Sequence, residues 1–202
     1  MTNLISKRNN VYLKDGLVYK VCLNSDMAIA EGETLSLLKK ASVAVPSVLD
    51  IKDNTLVLEY IDGMTIPDFL EREESLGRVE KVSRDIVAWF FSYYKAVEAR
   101  HISEIRGDVN GRNFIITSNS VYGVDFEERV IGKKETDIGR FLAYIFTYTL
   151  PNTKVRDKLY RLLYVQFIEL LNLDEQEVIN ARELELIQME LRRSNRQQTN
   201  LE

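Results

Sequence analysis

The chain holds one cysteine, one histidine, nine glycines and three prolines in 202 residues. A lone thiol, Cys22, can close no internal disulfide and build no cysteine zinc site, so packing is its expected role. The glycines never fall into a Gly-x-Gly-x-x-Gly run, which excludes a glycine-built cradle for phosphates. No apolar run is long enough to span a bilayer, and the opening stretch Met1 to Lys7 lacks the apolar centre of a signal peptide. The expectation is an intracellular, cytoplasmic protein with no membrane contact. Basic excess is also missing: the net charge is -4 and the calculated pI about 5.3, which argues against direct nucleic-acid binding and is compatible with a cationic small ligand. Neither a repeat nor a low-complexity linker is present.

What the chain has is hydrophobic content, 45% of its residues, enough for a sizeable core. It also has an ordered set of hard oxygen donors in the stretch from Arg106 to Arg140: Asp108, Asn113, Asp125 and Asp137. Between them, Phe114-Ile115-Ile116-Thr117 and Val121-Tyr122-Gly123-Val124 flank the turn residues Ser118-Asn119-Ser120 and read as a β-hairpin. That hairpin can carry Asn113, just before its first strand, to Asp125, just after its second. Phosphoryl transfer asks a protein for oxygen ligands to Mg²⁺, a cation on the phosphates and an acceptor for the hydroxyl proton. Each residue alone has a plainer reading, a turn or a helix cap. Their order and spacing together favour the chemistry.

This run resembles the catalytic core of the protein-kinase-like phosphotransferases, in the branch of aminoglycoside phosphotransferases, choline kinases and small RIO-like kinases. The resemblance covers about residues 5 to 150 and is most specific between Arg106 and Arg140. It implies an α+β, two-lobed protein-kinase-like fold, with a small antiparallel-sheet N-lobe at 1–61 and a mainly helical C-lobe at 62–202. It also implies ATP and Mg²⁺ as cofactors, Asp108 as the catalytic base, Asn113 and Asp125 as metal ligands, and Asp137 as the residue that ties down the catalytic-loop backbone. Asp137 has a plainer reading too, the N-cap of a helix over 138–148.

The N-terminal part supplies the expected nucleotide grip. Asp15-Gly16 between Val11 to Lys14 and Leu17 to Val21 is a two-residue hairpin signal, and Lys20 points to the face opposite Tyr19 and Val21. Asn24, Ser25 and Asp26 offer N-caps for a helix to about Lys40. Two glutamates on that helix compete for Lys20. Glu31 shares the inward stripe with Leu35 and Leu38, whereas Glu33 lies nearly opposite, so Glu31 is the expected partner. In the resembled proteins such a pair aligns the nucleotide. Thr55 to Ile61 reads as a buried strand running into the turn-rich Asp62 to Pro67. By resemblance it is the interlobe hinge, with adenine contacts near Glu59, Tyr60 and Ile61.

The chain departs from that family pattern in three places. Ser6, Asn9 and Asn10 lie in the polar stretch that stands where a glycine loop would cover the phosphates; by resemblance they bind nucleotide. Arg106 occupies the place of a histidine two residues before the catalytic aspartate, and His101 is too early to substitute. Glu127 follows Asp125-Phe126 where protein kinases have glycine. Glu71 to Glu74 reads as a solvated helix end. Helices are expected over 78–100, 155–171 and 175–193, then a disordered polar tail over 194–202. The function expected is transfer of the γ-phosphate to a hydroxyl of a small-molecule acceptor, possibly a cationic one. The alternatives are an atypical RIO-like protein or RNA-associated kinase, and a nucleotide-binding pseudokinase.

Overall fold

Asp15 and Gly16 both adopt positive φ, 52° and 77°, which is the twist a two-residue turn needs to join right-handed strands. They connect β2 (Asn10–Lys14) to β3 (Leu17–Val21), with β1 (Thr2–Leu4) on the outer side of β2. In this computed structural model the described residues are 2–4, 10–73, 75–100, 103–128, 130–149 and 153–199. The positions Ser6, Asn9 and His101 lie outside them.

The first sheet has the order β1-β2-β3-β5-β4, antiparallel throughout, with β4 at Val48–Lys52 and β5 at Thr55–Glu59. Its cover is α1 (Ser25–Lys40). Of the three cap candidates Asn24 serves, its side-chain oxygen accepting from the Met27 amide at 2.9 Å. The helix buries Ala28, Glu31, Leu35 and Leu38 and leaves Glu33 exposed. Gly32 permits the close approach: a Cβ there would stand 2.6 Å from Ile51 Cδ1.

After β5, the stretch expected to be only a turn-rich connector holds a short strand and a helix, β6 (Met64–Thr65) and α2 (Ile66–Arg72). The Thr65 hydroxyl accepts from the Asp68 amide at 3.3 Å, and Pro67 sits in the first turn, where its missing N–H has no partner to lose. The long α3 (Leu76–Glu98) then runs through the second half of the molecule. Around it lie β7 (Glu104–Ile105), β8 (Phe114–Ile116), β9 (Val121–Gly123), β10 (Val130–Ile131), α4 (Lys134–Thr147), α5 (Thr153–Leu171) and α6 (Glu175–Thr199). β6 extends the β8–β9 hairpin to a three-stranded sheet, and β7 pairs with β10.

The helical part is built on aromatic packing. Phe90 on α3 meets Phe114, Phe141 and Phe167 at centroid distances of 5.3, 5.1 and 5.3 Å, mostly edge to face, and all four rings are fully buried. Burial contributes about 1.5–3 kcal/mol for each such ring. Phe90 and Trp89 are neighbours on α3, and Phe126 lies 6.4 Å from Trp89, so this core reaches the loop that carries Asp125.

Several expected boundaries shift, and two of the shifts matter most. α4 begins at Lys134, so Asp137 lies in its first turn rather than at its N-cap. α6 continues through Thr199, past the expected end at Arg193, because Ser194 to Thr199 contain no glycine or proline to stop it. No helix among the described residues is long and apolar enough to cross a membrane.

Candidate active site

Alternation along β3 sends Lys20 toward α1, where it is buried at 5% exposure. Three carboxylates meet its ammonium: Glu31 at 2.8 Å, Asp125 at 2.7 Å and Glu127 at 2.6 Å. Burial would lower the Lys20 pKa, but the charges of Glu31 and Asp125 and the hydrogen bonds to Asp125 and Glu127 outweigh it and raise it. Glu31 is raised by its own burial, while Lys20 and the Phe126 amide pull the other way. That amide donates to Glu31 Oε1 at 2.9 Å, so one glutamate holds both the strand lysine and the loop after Asp125. Glu33 takes no part. Ion pairing therefore joins β3, α1 and the Asp125 loop at one point.

The catalytic-loop candidates are organised by Arg106, buried at 1% exposure. Its Nε donates to the carbonyl of Asp108 at 2.9 Å, and its Nη2 donates to the carbonyls of Val124, of Asp125 at 3.3 Å and of Asn113 at 3.5 Å. The guanidinium also lies 4.4 Å from the centroid of Phe126 and 4.8 Å from that of Phe114. Burial lowers its pKa; the facing charges of Asp108, Asp125 and Asp137 restrain the fall. Asp137 fixes the other side of the same segment, accepting from the amides of Arg106 at 2.7 Å and Gly107 at 3.1 Å and from the Tyr94 hydroxyl at 3.2 Å. Burial raises the Asp137 pKa, and those hydrogen bonds oppose the rise.

The hairpin does what its position suggests. The Val124 amide donates to the Asn113 carbonyl at 2.9 Å, which sets Asn113 beside the Asp125 segment. Asn113 uses its side-chain nitrogen toward the Asp108 carbonyl, 3.5 Å away, and keeps an oxygen for a hard cation. Asp125 has φ of 65°, a left-handed conformation that aspartate tolerates better than most residues, and its side chain is 43% exposed. Asp108 is half-buried, and its Oδ1 accepts from the Asn110 amide at 3.1 Å. An asparagine and an aspartate on these adjoining segments are a donor set that suits Mg²⁺. Glu31, Asp125 and Glu127 also bring carboxylate oxygens within 4.8 Å of one another.

The expected hinge residues begin at the last residue of β5, Glu59. Glu59 directs its carboxylate back onto Ser47, Oγ at 2.7 Å and the amide at 3.0 Å, and those bonds with Lys39 lower its pKa against a burial effect of opposite sign. Tyr60 is exposed and Ile61 buried. Asn10 stands at the exposed start of β2, opposite Val21.

Two participants escape the sequence reading. Glu127 shows only as a residue in glycine's place, though its spacing of two from Asp125 puts both carboxylates on Lys20. Arg106 shows only as a missing histidine, yet four carbonyls converge on it.

The family model for the RIO domain matches residues 20–142, from the strand lysine to α4. A probable serine/threonine-protein kinase BUD32 homolog of Archaeoglobus fulgidus is 28% identical over 96 residues, 48% of this chain and 42% of that one. The KEOPS complex subunit Bud32 of Pyrococcus abyssi is 32% identical over 109 residues, 52% of this chain and 45% of its own length. The chain thus matches less than half the length of these curated relatives. Among solved structures, the streptomycin–ATP complex of the aminoglycoside phosphotransferase APH(2")-IIa superposes with a TM-score of 0.63 at 14% identity, over 91% of this chain and 81% of that one. ADP-bound APH(2'')-Ib superposes with a TM-score of 0.57 at 13% identity, over 92% and 91% of the two chains. The kinase-like architecture is common to this chain and these two solved structures.

Proposed function

Since this chain belongs to the RIO domain family, we propose that it is an ATP- and Mg²⁺-dependent phosphotransferase, acting in the cytoplasm on a hydroxyl of a small-molecule acceptor. One observation carries the reading: Lys20 and Asp125, from opposite lobes, meet at 2.7 Å beside a catalytic loop that Arg106 ties to the same Asp125 segment. The lobe boundary near residue 61 goes with it, since the first sheet closes at Glu59.

In this reading Asn113 and Asp125 hold the metal, Lys20 exchanges Asp125 for the nucleotide phosphates, and Glu31 keeps it in place. Mg²⁺, when bound, supplies positive charge that neutralises phosphate oxygens as transfer proceeds. Asp108 accepts the acceptor's hydroxyl proton while that oxygen bonds to the γ-phosphorus and the bond from phosphorus to the β–γ bridging oxygen breaks. The adenine edge is assigned to Tyr60, Ile61 and the backbone at Glu59, and the phosphates to Asn10 at the start of β2.

A second reading is favoured by the curated relatives, whose names give a serine/threonine kinase and a subunit of a complex. In that case the hydroxyl belongs to a protein. Fold likeness to aminoglycoside phosphotransferases over more than nine-tenths of this chain supports the small acceptor.

The test is a melting curve with Mg·ATP and with EDTA. A ligand at a hundred times its dissociation constant adds about 2.7 kcal/mol, several degrees in a domain of this size. Millimolar Mg·ATP is expected to give that shift and EDTA to abolish it; an unchanged melting temperature would remove the nucleotide from the proposal.

A further inference from the structure

α4 packs against α6, and α6 lies wholly beyond the segment that the RIO family model matches, which ends at residue 142. Arg140, Tyr144 and Tyr148 recur every four residues along α4 and its C-cap, so they form one ridge. The ridge ends on the catalytic loop. The Tyr148 hydroxyl lies 3.4 Å from Asn110 Oδ1 and against Gly111, where an added Cβ would meet it at 2.6 Å. At its other end the ridge meets α6, where Glu185 is only 5% exposed and stands between two arginines. Arg192 Nη2 is 2.5 Å from one carboxylate oxygen, and Arg140 Nε is 3.7 Å from the other. Both arginines stay partly open to solvent, at 34% and 48%.

Between these ends, burial raises the Tyr144 phenol, Glu185 and Asp108 add to the rise, and Arg192 and Arg140 oppose it. Tyr144 lies on the ridge between the arginine pair and the contact of Tyr148 with the catalytic loop. Arg112, exposed in the catalytic loop, adds a third positive charge that the Tyr148 phenol feels. Three arginines, Arg112, Arg140 and Arg192, thus stand with two carboxylates, Glu185 and Asp108, along this ridge, although the whole chain carries -4.

We infer that this ridge is the acceptor wall, and that the acceptor is an alcohol bearing an anionic group, phosphate or carboxylate, held by Arg140 and Arg192 with its hydroxyl toward Asp108. Guanidinium forks suit such oxyanions, and their partial exposure leaves room for them to bind. A cationic acceptor would meet the arginines before reaching any unmatched carboxylate. The inference rests on the phosphotransferase reading for the reaction, but its binding claim stands alone.

The experiment is calorimetric titration of the full chain with glycerol 2-phosphate, in parallel with choline, each with and without saturating Mg·ADP. Glycerol 2-phosphate is expected to bind in both conditions and choline in neither. R140Q and R192Q are each expected to weaken binding at least roughly tenfold, with R140K recovering part of it. R192Q alone decides if R140Q lowers the melting temperature. The inference is overturned if choline binds instead, if neither arginine variant changes the glycerol 2-phosphate isotherm, if no binding occurs, or if Mg·ADP displaces the anion. Absence of heat with Mg·ADP itself counts against the phosphotransferase reading and leaves the anion result to be judged separately.

Discussion

Lys20 and Asp125 stand 105 residues apart in the chain and 2.7 Å apart in space. Between them they span the two lobes, and the same ammonium is shared with Glu31 and Glu127. Such a cluster has one buried cation facing three carboxylates, of which only Asp125 opens substantially to solvent. With nucleotide and metal bound, Asp125 would serve as a metal ligand and Lys20 would face the phosphates in its place.

Glu31 and Glu33 give the sharpest contrast. Glu31→Gln removes the charge that holds Lys20 inside the sheet, and turnover is expected to fall at least roughly tenfold, about 1.4 kcal/mol in the barrier. Glu33→Gln changes an exposed side chain, with stability expected within about 0.5 kcal/mol of the parent and turnover unaltered. Equal losses in steady-state assays of the two variants would remove Glu31 from the nucleotide grip.

Asp108 and Asp125 separate by ligand. Asp125→Asn is expected to lose the magnesium-dependent part of nucleotide stabilisation in melting curves, because a neutral amide is a poorer ligand for a hard cation. Asp108→Asn is expected to keep that stabilisation while transfer drops by orders of magnitude. Normal turnover in Asp108→Asn would mean that the base is elsewhere.

Arg106→Leu should be among the more disruptive single changes. It strands the carbonyls of Asp108, Val124 and Asp125, and the expected loss is on the order of 3 kcal/mol in chemical denaturation. Arg106→Lys should recover only part, since one ammonium cannot fork to carbonyls on both loops. Full recovery by lysine would show that charge, rather than the fork, is what these loops need.

Alkali provides a test from titration. Burial raises the phenols of Tyr94 and Tyr148, and Lys20 is raised despite burial. All three hold their protons more tightly folded than unfolded, so the stability they confer is complete below about pH 10 and declines as the pH rises beyond it. Melting temperatures measured from pH 8 to 11 are expected to fall over the last unit, and Tyr148→Phe should make that fall shallower. An identical slope in the variant would show that this phenol does not titrate with unfolding.

Much of this was readable before any coordinates. Asp108, Asn113 and Asp125 lie in a single short stretch with a hairpin between them, so local turn chemistry suffices to bring them together. Lys20 and Glu31 could be paired because strand alternation and a helical stripe each point one way. Arg106 resisted, since nothing local says that one guanidinium will collect carbonyls from two loops. Asp137 was placed at a helix start because Lys133 and Lys134 give no capping signal; Lys133 is the N-cap without a side-chain bond. α6 lacks both glycine and proline at its expected end, and only the packing of α4 against it brings Glu185 to Arg140. Such long-range helix pairings leave no periodicity to read.

Trp89 is the only tryptophan, and its indole N–H donates at 2.8 Å to the carbonyl of Ala44, which also accepts from the Gly123 amide at 3.0 Å. That carbonyl belongs to the linker leaving α1, while the indole belongs to the core of the other lobe. The molecule therefore carries its own optical gauge of how the lobes are joined. Hydration of that one bond shifts the emission toward the red, so stopped-flow fluorescence can time the parting of the linker from the catalytic hairpin without any attached dye.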